Sequence, residues 1–180
     1  MIGDISLFKR PPRRLLSELL HLESGNVLPD NFHALDPGAQ VYRSSQPGRA
    51  EFQELARYGF KSVLNLRSHH SDLKLIEGTG LREYRLRTHV LTREDMEEAL
   101  RIIRDAEKPL LIHCWHGSDR TGAVSAGYRI VFNNWTVNEA LREFTTRAYG
   151  HHRRLYRALP VVLRTLDWEA IASDLRSDGE

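Results

Sequence analysis

Cys114 is the only cysteine in the chain, and five residues separate it from Arg120 within the stretch HCWHGSDRTG, His113 to Gly122. A loop that turns successive backbone N–H groups inward at the start of a helix makes an anion site. Gly117 permits the backbone conformation that such a cradle needs. Arg120 adds a planar fork able to take two phosphate oxygens at once. The same field stabilises a thiolate at Cys114 below the free-thiol pKa of about 8.5. A thiolate facing a bound phosphate is a nucleophile already in place for phosphoryl transfer. The short spacing lets Arg120 fold back over the atom that Cys114 attacks and stabilise the equatorial oxygens of the transition state.

Such a loop must hang from a buried strand and open a helix. KPLLIHC is a short apolar run bounded by Pro109, which predicts a strand, and RTGAVSAGYRIVF has helical spacing with small residues on one side. Upstream, PPRRLLSELLHL predicts an amphipathic helix beginning just after the prolines. NFHALDPGAQVYRSSQP is turn-rich, with a turn at Asp36-Pro37-Gly38 and a short strand at Val41-Tyr42-Arg43. A helix opened by Pro47 and stopped by Gly59 follows, then strands in FKSVLNLR and REYRLR separated by a polar connection. Thr92 can cap a helix through REDMEEALRIIRDAE, and Thr136 with Glu139 forms a capping box for the next one. The tail from Arg153 to about Ser173 reads as helical, with Pro160 kinking it or starting a new helix. This order predicts an α/β domain with a mostly parallel central sheet flanked by helices on both faces, and the motif off the carboxyl end of a strand.

HCWHGSDRTG resembles the Cys-x5-Arg signature of the cysteine-dependent protein tyrosine phosphatase superfamily, and is most similar to small atypical dual-specificity phosphatases. VYRSSQP and KSVLNLR resemble segments of the same enzymes, so the likeness runs from about Phe32 to Gly150. It implies a dual-specificity-phosphatase-like fold, with residues 1–31 as an N-terminal helical extension and 32–180 as the phosphatase domain. It further implies that Cys114 forms a phosphocysteine intermediate and that Arg120 stabilises the transition state. Trp115, His116, Gly117, Ser118, Asp119 and Arg120 then bind phosphate. His113 holds the loop and supports the low thiol pKa, and Thr121 hydrogen-bonds the departing thiolate. No metal and no cofactor are implied.

The leaving oxygen of a phosphate ester needs a proton, which superfamily members usually draw from an aspartate on an upstream loop. Here that loop reads THVLTRED. It offers Asp95 and Glu94, whose placement in a first helical turn is also that of ordinary dipole partners. The rival is Asp119. The Cys-x-x-Gly-x-Asp-Arg pattern resembles that of myotubularin-type lipid phosphatases, in which the loop aspartate is thought to be the acid; a carboxylate bracing the loop is the other reading of Asp119. Asp72 is a more remote third candidate.

Lys and Arg total 26 against 24 Asp and Glu, a net charge of +2, which gives no argument for nucleic acid as a partner. No apolar run reaches the ~18 residues of a membrane span. The N-terminus lacks the apolar core of a signal peptide, which points to a cytoplasmic protein. A lone cysteine excludes an intrachain disulfide. His69-His70 and His151-His152 lack metal-ligand spacing and read as solvated; the basic run HHRRLYR reads as a solvated face, with the rim of a pocket for a polyanionic substrate as its other reading. Arg43 and Arg67 lie at strand ends, where they can face the loop. The expected activity is hydrolysis of phosphate monoesters on a phosphorylated protein, with an inositol polyphosphate or phosphoinositide as the alternative substrate. A phosphate-binding module without turnover and a rhodanese-type sulfur transferase are the rivals. Nothing in the sequence fixes the oligomeric state.

Overall fold

The computed structural model describes residues 28–88, 90–152 and 155–178. The helix expected after Pro12 lies outside them. The elements run β1 (His33–Asp36), β2 (Val41–Ser44), α1 (Arg49–Arg57), β3 (Ser62–Asn65), β4 (Arg82–Arg85), α2 (Arg93–Asp105) and β5 (Leu110–His113). Then come α3 (Arg120–Asn133), α4 (Val137–Phe144), a 3-10 turn (Arg147–Tyr149), α5 (Leu159–Thr165) and α6 (Trp168–Ser177). The sheet order is β1-β2-β5-β3-β4, with only β1 antiparallel to its neighbour. The mostly parallel sheet expected from the strand–helix alternation is therefore present.

β1 is an addition to the sequence reading, which took its residues as part of a turn-rich connection. The turn at Pro37–Gln40 folds His33–Asp36 back onto β2, and Gln40 takes a positive φ to close it. Pro160 starts α5 rather than kinking a longer helix, since a proline is tolerated in the first turn. The capping boxes at Thr92 and Thr136 are both formed.

Alternation along the strands divides the core. Val41, Leu64, Leu110 and Ile112 face α2 to α6, while Tyr42, Val63 and Leu111 face Phe52 and Leu55 of α1. α3 runs through the middle of the thicker layer and is buried from Thr121 to Tyr128. Its small residues permit this. A Cβ on Gly122 would lie 2.6 Å from Phe144, and one on Gly127 would lie 2.5 Å from Met96. On α2, Met96, Leu100 and Ile103 are fully buried against it, each contributing about 1.5–3 kcal/mol of apolar burial. In parallel register, Ser44 and Asn65 both lie opposite His113, so three strands end level beneath the segment that joins β5 to α3.

Candidate active site

The segment from Cys114 to Asp119 leaves the end of β5 and enters α3 at Arg120. Its carbonyl groups are held from outside. The Gln46 amide donates to Trp115 O (3.0 Å), Asn31 Nδ2 to His116 O (3.0 Å), and Arg43 Nη2 to Gly117 O (2.7 Å). In a trans peptide unit the N–H points opposite the C=O. The amides of His116, Gly117 and Ser118 are thus turned away from these three anchors, as an oxyanion cradle requires. Gly117 has φ +71°, and a Cβ there would sit 2.4 Å from the Ser44 carbonyl, so only glycine fits.

Arg120 Nη1 donates to Leu66 O (2.8 Å) and Thr88 O (3.1 Å), two carbonyls just beyond β3 and β4. One arm of the guanidinium is fastened to the sheet edge, which leaves Nε and Nη2 as the donors able to take an oxyanion. Cys114 is 3% exposed at the foot of the loop. Burial pushes the guanidinium groups of Arg43 and Arg67 downward, against the partial opposition of neighbouring groups. Arg43 is itself buried. It lies under the loop with its guanidinium 4.3 Å from the Tyr149 ring centre, and its Nε and Nη1 have no hydrogen-bond partner among the described residues. Arg67 lies over the exposed Trp115 ring at the rim (4.2 Å). Of the two strand-end arginines, one is therefore beneath the loop and one above it.

His113 and Asp72 form a fully buried pair, with Nε2 2.7 Å from Oδ2. His113 Nδ1 lies 3.2 Å from the Cys114 carbonyl oxygen, so both ring nitrogens face oxygen acceptors. The other Asp72 oxygen accepts from Gln46 Nε2 (2.8 Å), and Gln46 Oε1 accepts from Arg67 Nη1 (2.8 Å). Burial pushes the Asp72 carboxyl up, but the hydrogen bond and charge of His113, with Gln46 and His70, outweigh it and hold the group below the ordinary carboxylate range. Thr121 Oγ1 is buried and has no hydrogen-bond partner among the described residues. The bond to the Cys114 sulfur implied for it is not made in this state.

The three aspartates weighed as acid stand in different surroundings. Asp72 is behind the strand ends, bound to His113. Asp95 occupies the third position of α2, where its Oδ2 accepts from Thr92 N (3.2 Å) and Thr88 Oγ1 (2.7 Å). Asp119 is 3% exposed; its Oδ1 accepts from His152 N (2.9 Å) and meets His151 Nδ1 (2.8 Å), and its Oδ2 meets His152 Nδ1 (2.8 Å). The sequence reading of His151-His152 as solvated is corrected here. The His151 side chain is 2% exposed and packs 4.3 Å from the Phe144 ring, and His152 is 39% exposed. Two adjacent polar residues carried no periodic signal, and only the return of the chain after α4 brings them to the loop. His116, Asp119 and His152 set one donor atom each within 4.8 Å of one another, with the Asp119–His152 contact made as a hydrogen bond. Asn31 and Arg43 as carbonyl anchors were also invisible from spacing, although VYRSSQP contains the latter.

Residues 26–159 match the family described as the tyrosine phosphatase family. Among curated proteins, the dual specificity protein phosphatase TpbA of Pseudomonas aeruginosa is 32% identical over 125 residues, which is 67% of this chain and 56% of that protein. The inositol diphosphatase DSP5 of Arabidopsis thaliana is 30% identical over 139 residues, covering 67% of this chain and 64% of its own length. The chain thus spans between about half and two thirds of the length of the curated relatives it matches. Among solved structures, P. aeruginosa TpbA superposes with a TM-score of 0.72 at 26% identity, covering 82% of this chain and 91% of that one. The core catalytic domain of the PP-IP phosphatase SIW14 of S. cerevisiae, in complex with citrate, gives 0.71 at 25% identity, covering 86% and 96%.

Proposed function

The chain belongs to the tyrosine phosphatase family, and on that premise we propose that it hydrolyses phosphate monoesters through a cysteinyl-phosphate intermediate. The observation that carries the reading is the outward anchoring of the Trp115, His116 and Gly117 carbonyls, which turns the following amides away from the anchors, as a cradle for an anion requires. In this mechanism the Cys114 thiolate attacks phosphorus, an S–P bond forms, and the electron pair of the breaking P–O bond leaves with the ester oxygen. The amides from Trp115 to Arg120 and the free arm of the Arg120 guanidinium hold the three equatorial oxygens. His113, pinned by Asp72, lies against the carbonyl of Cys114 and fixes the foot of the loop. Water then attacks the phosphocysteine, and the orphaned hydroxyl of Thr121 is the donor for the returning thiolate. The Asn31 side chain, one residue before the boundary expected at 32, anchors the loop, which favours counting it with the catalytic unit.

The substrate class we infer is phosphotyrosine or another phosphoprotein. TpbA is named a dual specificity protein phosphatase, and a variant of it has been crystallised with pTyr. A second reading, an inositol polyphosphate, is favoured by the basic rim. Arg67 and His116 flank the mouth, and a cavity of about 740 Å³ lined by Arg147, His151 and His152 adjoins the loop where Gly150 packs on Ser118. DSP5 and SIW14 are named inositol diphosphatases. A turnover panel across phosphotyrosine, phosphoserine and inositol polyphosphates decides between them, with Cys114→Ser as the blank. Phosphate release that survives in Cys114→Ser, or none in the unaltered protein, refutes the mechanism. The latter result leaves a phosphate-binding module. Among the described residues no helix is long and apolar enough to cross a membrane.

A further inference from the structure

We propose that the proton for the leaving oxygen comes from His152, with Asp119 as its positioning residue. The inference rests on the phosphatase reading above. Each aspartate near the loop is already engaged: Asp72 holds His113 and is fully buried, and Asp95 closes the capping box of α2. Asp119 has one oxygen on the His152 backbone amide and the His151 ring, and the other on the His152 ring. A main-chain N–H can only donate, so Oδ1 serves as an acceptor. The pair of contacts from one residue, amide and ring, locks the orientation of the His152 side chain.

With Nδ1 committed to the carboxylate, Nε2 is the nitrogen left to exchange a proton with a bound ester. This is the arrangement by which a carboxylate fixes the tautomer and direction of a catalytic imidazole. The exposure of the two histidines separates their roles. His151 is 2% exposed and packed on Phe144, so it braces Asp119 from the protein side. His152 is 39% exposed, and its ring centre lies 4.9 Å from that of His116 on the rim of the loop. The segment that carries it is held down on the loop itself. Gly150 has φ +70° and a Cβ there would be 3.1 Å from Ser118 Oγ.

The step balances within these groups. As the Cys114 sulfur bonds to phosphorus, the P–O electron pair passes to the leaving oxygen, which takes the proton from Nε2 and departs as an alcohol. His152 is left neutral. In the second half, the neutral ring takes a proton from the attacking water as the S–P pair returns to sulfur, and the starting state is restored.

The test compares leaving groups. His152→Gln should slow a poor leaving group such as phenyl phosphate about 10²–10³-fold, within the usual span for a general acid, and p-nitrophenyl phosphate by less than about tenfold. Asp119→Asn should show the same skew to a smaller degree. Free imidazole should partly restore phenyl phosphate turnover to His152→Ala, which a merely structural defect would not allow. Equal losses on both substrates, or none on phenyl phosphate, overturn the assignment. So does an absence of rescue in a His152→Ala protein whose thermal melt matches the unaltered one. If the unaltered protein shows no Cys114-dependent turnover of p-nitrophenyl phosphate, the phosphatase reading fails first and this one with it.

Discussion

Replacing Asp72 with alanine removes a carboxylate that has no contact with the expected position of phosphate, yet it should unfold the site from behind. Both members of the Asp72–His113 pair are fully buried at 2.7 Å, so the alanine variant strands a buried imidazole beside Cys114. Breaking a buried pair by removing one partner costs about 3–5 kcal/mol. For a domain of this size that corresponds to a fall in Tm of about 6–20 °C. The asparagine variant tests the geometry separately. Gln46 Oε1 is held by Arg67, so Gln46 Nε2 must face position 72, and His113 Nε2–H faces it from the other side. An amide oxygen can accept from Gln46 Nε2 while its Nδ2–H donates to His113 Nε2, provided the ring moves its proton to Nδ1 and the Cys114 carbonyl, so the asparagine variant should lose less than the alanine one, at most about 1–3 kcal/mol. Urea denaturation with an unchanged m-value reads both numbers. The pH dependence adds a further check. The folded Asp72 carboxyl sits below its unfolded value, because the hydrogen bond and charge of His113 outweigh the effect of burial. The unfolded chain therefore binds more protons in acid, and the contribution is complete above about pH 4 and lost as the pH falls through the lower folded value. The gap between the unaltered protein and Asp72→Asn should close along that descent. An alanine variant within about 1 kcal/mol of the unaltered protein, or a gap that is constant from pH 7 to 3, would refute the argument.

Three other substitutions bear on the same site or on the far end of the sheet. Gly117→Ala places a methyl 2.4 Å from the Ser44 carbonyl at φ +71°, so Cys114-dependent turnover should fall below detection while the far-ultraviolet dichroism stays native. Arg43→Met removes a buried guanidinium whose Nε and Nη1 find no partner among the described residues, and with it the Nη2 bond to the Gly117 carbonyl; the two effects oppose, so the ligand-free Tm should change little while the rise in Tm on adding phosphate should shrink. A ligand-free melt lowered by more than about 8 °C, equivalent to about 2–4 kcal/mol, would contradict this. Lys108 is pushed down to about 8, chiefly by burial against the partial opposition of Asp105, and its ammonium donates to the Ile103 and Ala106 carbonyls. The unfolded chain then holds more protons than the folded one between pH 8 and about 10.4, so stability should rise with pH across that window. Lys108→Met should flatten that slope in urea titrations.

The parts of the molecule that were legible in the sequence are those that depend on contiguous residues. Thr92 and Thr136 announce their helices because a cap bonds only three residues ahead. Cys114, Gly117 and Arg120 are readable because a strand, a tight loop and a helix start fix their relation within one short stretch. β1 was missed because four residues with one buried side chain give no alternation to count, and their place is set by pairing with β2. Asn31, the His151-His152 pair and the anchoring role of Arg43 escaped for a related reason, although Arg43 was placed at a strand end able to face the loop. Each meets the loop across 74 residues or more of chain, or, for the histidines, across 32 and 33. No local period encodes such a meeting.

The loop itself shows why the fold must come first. Six residues of backbone cannot keep several amides pointing one way against solvent, since each carbonyl would turn to find a donor. Here the donors come from three separate places: a side chain before β1, a side chain within β2 and the backbone just after β2. The donor from β2 is a guanidinium, and burial pushes its proton affinity down. A neutral donor such as asparagine could hold the Gly117 carbonyl without bringing a charge into the core. What a guanidinium adds is a field of the sign that a thiolate and a phosphate need, placed on the side of the loop away from water and so little screened by salt. The cradle is thus held open by the same group that makes it attractive to an anion, and the two effects part company only when Arg43 is replaced by a neutral donor of matching reach.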